Sequence, residues 1–218
     1  DLHSFPTRRS SDLLVTIADG GQLVHSGSGV IATVEKNITA YSGDGGYCLL
    51  TNPVADRQNP DSLGMTKDDY DLYWFDQSED LEWRNYKQIP FILNNGKGYL
   101  YANSNDTIVA FRGMLNRANF DFSVPVTYDA NAYFAGWNLI GNPFVCDAYL
   151  ADGRDFYVLD SDGDEVVLSA TNSIAPLQGL FVQTETNENA ISFTTTAPGQ
   201  GRALNMSVMH GRGASTGS

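Results

Sequence analysis

The sequence predicts an all-β chain: a jelly-roll-like β-sandwich built from two pseudo-repeats, with short N-terminal strands that read as the end of a β-solenoid. Three observations predict it. Aromatic residues are plentiful, with 11 Tyr, 11 Phe and 3 Trp, and such side chains favour pleated, half-buried strands. No stretch carries an apolar stripe at helical period over the length of a helix. Above all, the middle of the chain repeats itself. Gly46-Tyr47-Cys48-Leu49-Leu50-Thr51-Asn52-Pro53 returns as Gly136-Trp137-Asn138-Leu139-Ile140-Gly141-Asn142-Pro143. Asp71-Leu72-Tyr73-Trp74-Phe75-Asp76 is answered by Asp155-Phe156-Tyr157-Val158-Leu159-Asp160, Gly98-Tyr99-Leu100-Tyr101 by Gly179-Leu180-Phe181-Val182, and Val109-Ala110-Phe111 by Ile191-Ser192-Phe193. Four matches in one order are a duplication.

Residues 1–13 (DLHSFPTRRSSDL) show no strand alternation. They resemble the translation of a sequencing adapter and are set apart from fold reasoning. Residues 14–45 hold short strands, Val15-Thr16-Ile17, Gln22 to His25 and Val30 to Val34, separated by Asp-Gly-Gly and Gly-Ser-Gly corners. Two readings fit them: the last coils of a solenoid, or an ordinary pair of hairpins.

The first repeat, 46–113, opens on a strand that stops at Asn52-Pro53. Proline has no N–H for a ladder and pushes the residue before it away from the helical region. The strand led by Asp71 follows. Gly98 then opens an apolar run without alternation, which suits a central strand covered on both faces. Residues 114–135 link the halves through the alternating Phe120 to Val124. The second repeat, 136–196, follows the same order, and Asp160-Ser161-Asp162-Gly163-Asp164 before Glu165-Val166-Val167-Leu168 is its clearest hairpin. Residues 197–218 hold an expected strand, Arg202 to Val208, and a Gly/Ser-rich tail. Both ends read as those of a fragment of a longer protein. A four-stranded unit is not expected to bury a core by itself, so the two repeats are expected to face each other as one sandwich with a pseudo-twofold relation. A partly closed barrel is the alternative.

With 42% apolar residues the chain can build a proper core. A net charge of −13 argues against a nucleic-acid partner, because such a surface repels phosphate at long range. No apolar run approaches the ~18 residues of a membrane helix. Cys48 and Cys146 occupy non-equivalent places in the repeats, so two buried free thiols are expected. A bridge between them would be worth on the order of 4–5 kcal/mol.

Chemistry is sparse. Outside the opening segment the histidines are His25 and His210, near opposite ends, so neither a triad nor a zinc set is expected. Asp76, Glu79, Asp80 and Glu82 could supply a carboxylate pair but read as an acidic loop. Asp160, Asp162 and Asp164 could hold Ca2+ through oxygen ligands. They lack the EF-hand spacing and its terminal Glu, so a hairpin turn without metal is the first reading. Trp74, Trp83 and Tyr86, with Tyr101 near, could form an aromatic platform for a sugar ring. Trp83 and Tyr86 are the ligand candidates, because Glu82, Arg84, Asn85 and Lys87 predict an exposed strand there. A sugar-binding role requires both rings exposed and nearly coplanar.

GWNLIGNPF at 136–144, DFYVLD, IAPLQGLFVQ, YDLYWFDQSEDLEWRNYK and GKGYLYAN together resemble a β-rich module of large secreted surface proteins of Bacteroidota. The resemblance covers about residues 15–208. It implies an extracellular or outer-surface location, often by the type IX secretion route with its C-terminal sorting domain, and it carries over no catalytic residue. The expected function is a non-catalytic structural or adhesive module, adhesin-like, facing a host or cell-surface glycan or protein. The alternative is a carbohydrate-binding accessory module of a larger enzyme.

Overall fold

The computed structural model describes residues 15–41, 45–66 and 68–197. The opening segment 1–13, the strand expected at 202–208 and His210 lie outside the described residues. Within them the chain is all-β, with four open sheets and a single 3-10 turn at Pro60–Ser62. Among the described residues no helix is long and apolar enough to cross a membrane.

The first repeat supplies β3 (Cys48–Thr51), β4 (Tyr70–Phe75), β5 (Trp83–Asn85) and β6 (Gly98–Asn103), which form an antiparallel sheet in the order β3-β6-β4-β5. The second supplies β9 (Trp137–Gly141), β11 (Tyr157–Leu159), β12 (Val166–Leu168) and β13 (Gly179–Gln183), in the order β9-β13-β11-β12. Strand for strand, these orders are the same. The expected hairpin turns between β11 and β12, with Gly163 at φ 74.

The sandwich differs from expectation in where its cores lie. Each repeat recruits a second sheet and closes a core of its own. For the first repeat this sheet is β1 (Val15–Ile17), β2 (Ile31–Ile38) and β7 (Thr107–Met114). For the second it is β10 (Tyr149–Leu150), β14 (Ala190–Thr194) and β8 (Phe122–Pro125). The segments outside the repeat motifs therefore complete the two halves. β1 pairs with β2 in parallel, as successive coils would, but β2 then pairs antiparallel with β7. The link strand β8 pairs with β14 as β2 pairs with β7.

Strand alternation sends the side chains of the four-stranded sheets to two different layers. Leu50, Leu72, Tyr99 and Tyr101 point into the first core beside Val34, Val109 and Phe111. Ile140, Phe156, Leu180 and Val182 point into the second beside Val124, Ile191 and Phe193. The opposite faces carry Leu49, Phe75 and Leu100 from one sheet and Leu139, Tyr157 and Phe181 from the other, and these meet in a third apolar layer. Two sandwiches are thus stacked through their four-stranded sheets. This is why β6 and β13 lack alternation: both their faces are covered.

The contacts across the stack are reciprocal, as an approximate twofold requires. Thr51 N–H donates to Leu177 O (3.1 Å), and Gly141 N–H donates to Gly96 O (2.8 Å). Leu50 bridges Gln178, and Ile140 bridges Lys97. Just past each inner strand stands a fully buried asparagine. Asn52 Nδ2 donates to Asp56 O and Leu93 O, while its Oδ1 accepts from Val54 N–H. Asn142 Nδ2 donates to Cys146 O, Ile174 O and Ala175 O, and its Oδ1 accepts from Phe144 N–H. Each amide replaces the ladder partners that the following proline cannot offer.

Both cysteines are free. Burial pushes each thiol up to about 11, which leaves little thiolate to react. Neither should react with iodoacetamide at pH 8 in the folded chain, and both should after denaturation; rapid native labelling followed by mass spectrometry would contradict this packing. Asn142→Ala should cost about 3 kcal/mol or more in chemical unfolding, because several buried groups lose their partner at once. The exposed Asn131→Ala should stay within about 0.5 kcal/mol.

Candidate functional site

The stack leaves clefts along its seam, and the chemistry of the chain gathers there. β4 ends on Trp74 and Phe75 and turns at Asp76. Asp76 Oδ1 fixes that turn by accepting from the N–H and hydroxyl of Ser78. The next residue, Gln77, crosses to the other half and is almost fully buried. Its Nε2 donates to Thr127 O and Trp137 O, and its Oε1 accepts from Asp129 N–H and Gly136 N–H. A buried amide with every group paired is a clamp, and it fixes the distance between β4 and the start of β9.

Beside this clamp opens a cleft of about 370 Å3 between the halves. Trp74, Asp76, Asn94 and Lys97 come from the first repeat, Trp137 and Asn138 from the second, and Val124 and Thr127 from the link strand and the residues after it. Asn138 is tied to the Thr127 and Gly136 backbone and to the Thr184 hydroxyl. Lys97 is different. Its Nζ lies 3.9 Å from the centroid of the Trp74 ring, and no hydrogen bond or ion pair joins it to the described residues. Burial pulls the ammonium down to about 8, against the opposing pull of Asp76. A cation–π contact of about 0.5–2 kcal/mol offsets part of that desolvation. The Trp74 Nε1–H is also buried without a partner.

Phe75 and Trp137 also line a second cleft, of about 310 Å3, walled by Trp83, Phe134, Val166 and Phe181. Its rings meet edge to face: Phe75–Phe181 at 5.2 Å and 90°, Trp83–Phe181 at 5.9 Å and 86°. The side chain of Phe134 caps Phe75 at 6.1 Å, and the neighbouring Tyr133 is 90% exposed.

The sequence-predicted site residues scatter over three places. Trp83 lines the aromatic cleft, half-buried. Tyr86 does not share it: it is only 9% exposed, packs in the first core and meets Phe91 edge-on at 84°. The expectation of two exposed, coplanar rings is therefore corrected. β5 ends at Asn85, and Tyr86 opens the turn that carries the chain back to the core, so its ring does not share the face of Trp83. Tyr101 is likewise core. Asp160 Oδ1 accepts from Gly163, Asp164 and Glu165 N–H, a turn-capping role. Asp162 and Asp164 line a third cleft, beside Gly46 and Tyr47. Among the described residues no group of three or more His, Cys, Asp or Glu is gathered as a metal site would need. Of the acidic loop, Glu79 pairs with Arg84 at 3.0 Å.

Sequence reasoning missed Lys97. The signal was there in the repeat itself: Gly96-Lys97-Gly98 matches Leu177-Gln178-Gly179, so a lone cation stands where the duplicate has an amide. No family model, curated protein or solved structure matches the chain.

A lysine whose ammonium is desolvated weighs against the folded state while it is charged. Below about pH 8 that penalty is complete. Between about 8 and the ordinary lysine value, the unfolded chain binds more protons than the folded one, so the contribution of Lys97 to stability improves as pH rises. Lys97→Met should raise the unfolding midpoint at pH 7, and the gain should shrink on titration to pH 10.5. A gain that does not change with pH would contradict the burial of the charge.

Proposed function

We propose that this chain is a non-catalytic structural or adhesive module of a secreted or cell-surface bacterial protein. The observation that carries the reading is the aromatic cleft at the seam. Two cores and a clamped interface hold Phe75, Trp83 and Trp137 at fixed positions, while Phe134 and Tyr133 stand at the rim in solvent. Preorganised aromatic area at the surface is what adhesion needs, because little side-chain freedom is lost on contact. β12 adds apolar surface beside it, with Val166 and Leu168 about half exposed on a sheet edge. The non-catalytic part is supported by how the candidate groups are used. Asp76 and Asp160 cap turns, Glu79 pairs with a surface arginine, and His25 Nδ1 lies 3.2 Å from Gly27 O in its own loop. Export, and the type IX route in particular, rests on the sequence resemblance.

The second reading, a carbohydrate-binding accessory module, is favoured by the ring content of the same cleft. Beads coated with the chain should be retained under flow on mucin or plant polysaccharide, and the Trp83→Ala/Phe134→Ala pair should lose most of that retention. Retention no better than that of bare beads on every surface would sink the adhesive reading. Soluble glycans from a retaining surface should change tryptophan emission if the second reading holds; retention with a flat optical titration would leave adhesion through some other contact.

A further inference from the structure

The approximate twofold gives the seam two equivalent clefts, and comparing them isolates what each half has added. The cleft holding Lys97 is bordered by Val124 to Thr127, Trp137 and Asn138; its counterpart is bordered by Lys36 to Thr39, Tyr47 and Cys48, which are the matching strand positions. At the matching places Lys36 and the side-chain oxygen of Gln178 have partners, although Gln178 does not itself line the counterpart cleft. Gln178 stands at the position of Lys97, and its Oε1 accepts from Ala175 N–H at 2.9 Å. Lys36 pairs with Asp19 at 3.1 Å. Val158 stands at the position of Trp74. The second repeat therefore has a glutamine and a valine at these two places, neither of which lines the counterpart cleft. The first repeat instead holds an ammonium group with three donors and no acceptor among the described residues, lying over an indole ring. The Lys97 ammonium keeps contact with water at the mouth of the cleft and gains a cation–π contact that Val158 cannot give. The unmatched donor shut off from water is the Trp74 Nε1–H, and leaving a buried donor unmatched costs stability.

What the cleft offers a ligand is specific. Lys97 donates. Asp76 keeps Oδ2 as an acceptor while Oδ1 holds the turn. Trp74, Phe75 and Trp137 supply aromatic surface. The volume of about 370 Å3 falls within the range of about 300–1,000 Å3 usual for small-molecule sites. A ligand with hydroxyls that both accept and donate, and a C–H face to lay on a ring, satisfies all of these at once. A net charge of −13 repels anions at a distance, and Asp76 repels them at contact, so the matching ligand is uncharged. We propose that this cleft is a subsite for a neutral saccharide, with Lys97 and Asp76 hydrogen-bonding its hydroxyls beside the Trp74 ring. The assignment rests on the adhesive reading and names the ligand class of that surface.

The test uses the full chain and three probes: methyl β-D-glucopyranoside, methyl β-D-galactopyranoside and methyl β-D-glucuronide. Acetylation of individual lysines by an N-hydroxysuccinimide ester is followed by mass spectrometry. A neutral glycoside should slow acetylation of Lys97 roughly fivefold at about four times its Kd, and leave Lys36 and Lys87 unchanged. Saturation transfer to that glycoside should survive in Lys36→Met and fall about tenfold or more in Lys97→Met. The more conservative Lys97→Arg, which keeps the charge and donors, should retain part of it, so a folding defect in the methionine variant cannot pass for loss of the site. Protection by the glucuronide alone would overturn the neutral class. No protection of Lys97 by any probe, on a chain that still adheres to glycan surfaces, would overturn the subsite and leave the adhesive reading standing; absence of both would overturn both.

Discussion

Two buried side-chain amides hold the molecule in its shape. Each inner strand of the stack must stop abruptly, because a proline follows, and at that point the chain turns through the interior, where its backbone groups cannot reach water. Asn52 and Asn142 satisfy those groups. Each donates to the carbonyl four residues on and to a distant loop, and accepts from the N–H two residues on. An unpaired buried carbonyl costs about 1–3 kcal/mol, so several at one corner would consume a large part of a typical net stability of about 5–15 kcal/mol. With the corner satisfied, the loops at Gly96-Lys97 and Leu177-Gln178 are placed where they can cross to the opposite half.

That crossing requires the two sheets to come close, and small residues permit it. A Cβ on Gly98 would meet Ile140 O at 2.5 Å, and one on Gly179 would press on the Leu49 backbone at 3.0 Å. At the axis equivalent residues face one another: a Cβ on Gly141 would lie 2.3 Å from the Cβ of Thr51, its own counterpart. Both positions cannot carry a side chain, so the threonine is kept on one copy only, where its hydroxyl donates to Lys97 O at 2.8 Å. The same constraint acts at the crossing loops, where both copies use a left-handed backbone, Gly96 at φ 75 and Leu177 at φ 64. Leu177 spends about 1–3 kcal/mol on that conformation and recovers a similar amount, about 1.5–3 kcal/mol, by burying its side chain in the core of the other half. Gly96 has no such option, since Val124 Cγ2 would sit 2.6 Å from its Cβ.

The duplication, the all-β class, the Asn-Pro strand stops and the Asp160 hairpin were legible in the sequence, because each is written in local residue order. The doubly covered strands were legible too: Gly98 to Ala102 reads as apolar on both faces and is. What could not be read was the partner of each face. Whether Leu100 meets the other repeat or its own depends on which segments supply the second sheet, and β2 and β8 lie outside the repeated motifs. The site suffered for a related reason. Tyr86 sits among charged neighbours and looks exposed, yet it follows a three-residue strand whose next step returns the chain to the core. Lys97 looks like an ordinary surface lysine between two glycines until the opposite half closes over it.

Asymmetry between the halves is of two kinds, and the difference separates packing from function. At the axis asymmetry is forced. Thr51 against Gly141 is a contact between equivalents, so one must shrink for the other to fit. Leu177 against Gly96 follows from what each loop meets on the far side. Away from the axis nothing forces it. Lys97 and Gln178 occupy matching loops against matching strands, Ile140 and Leu50, and Trp74 and Val158 both lie on the core side of their sheets. The glutamine has its acceptor paired, while the lysine holds its ammonium over the Trp74 ring. These departures lie at one mouth of the seam, where Phe75 and Trp137 join the Lys97 cleft to the aromatic one. Packing explains the axis; at the Lys97 mouth the proposed saccharide would supply partners for the open ammonium, which the duplicate has no need of.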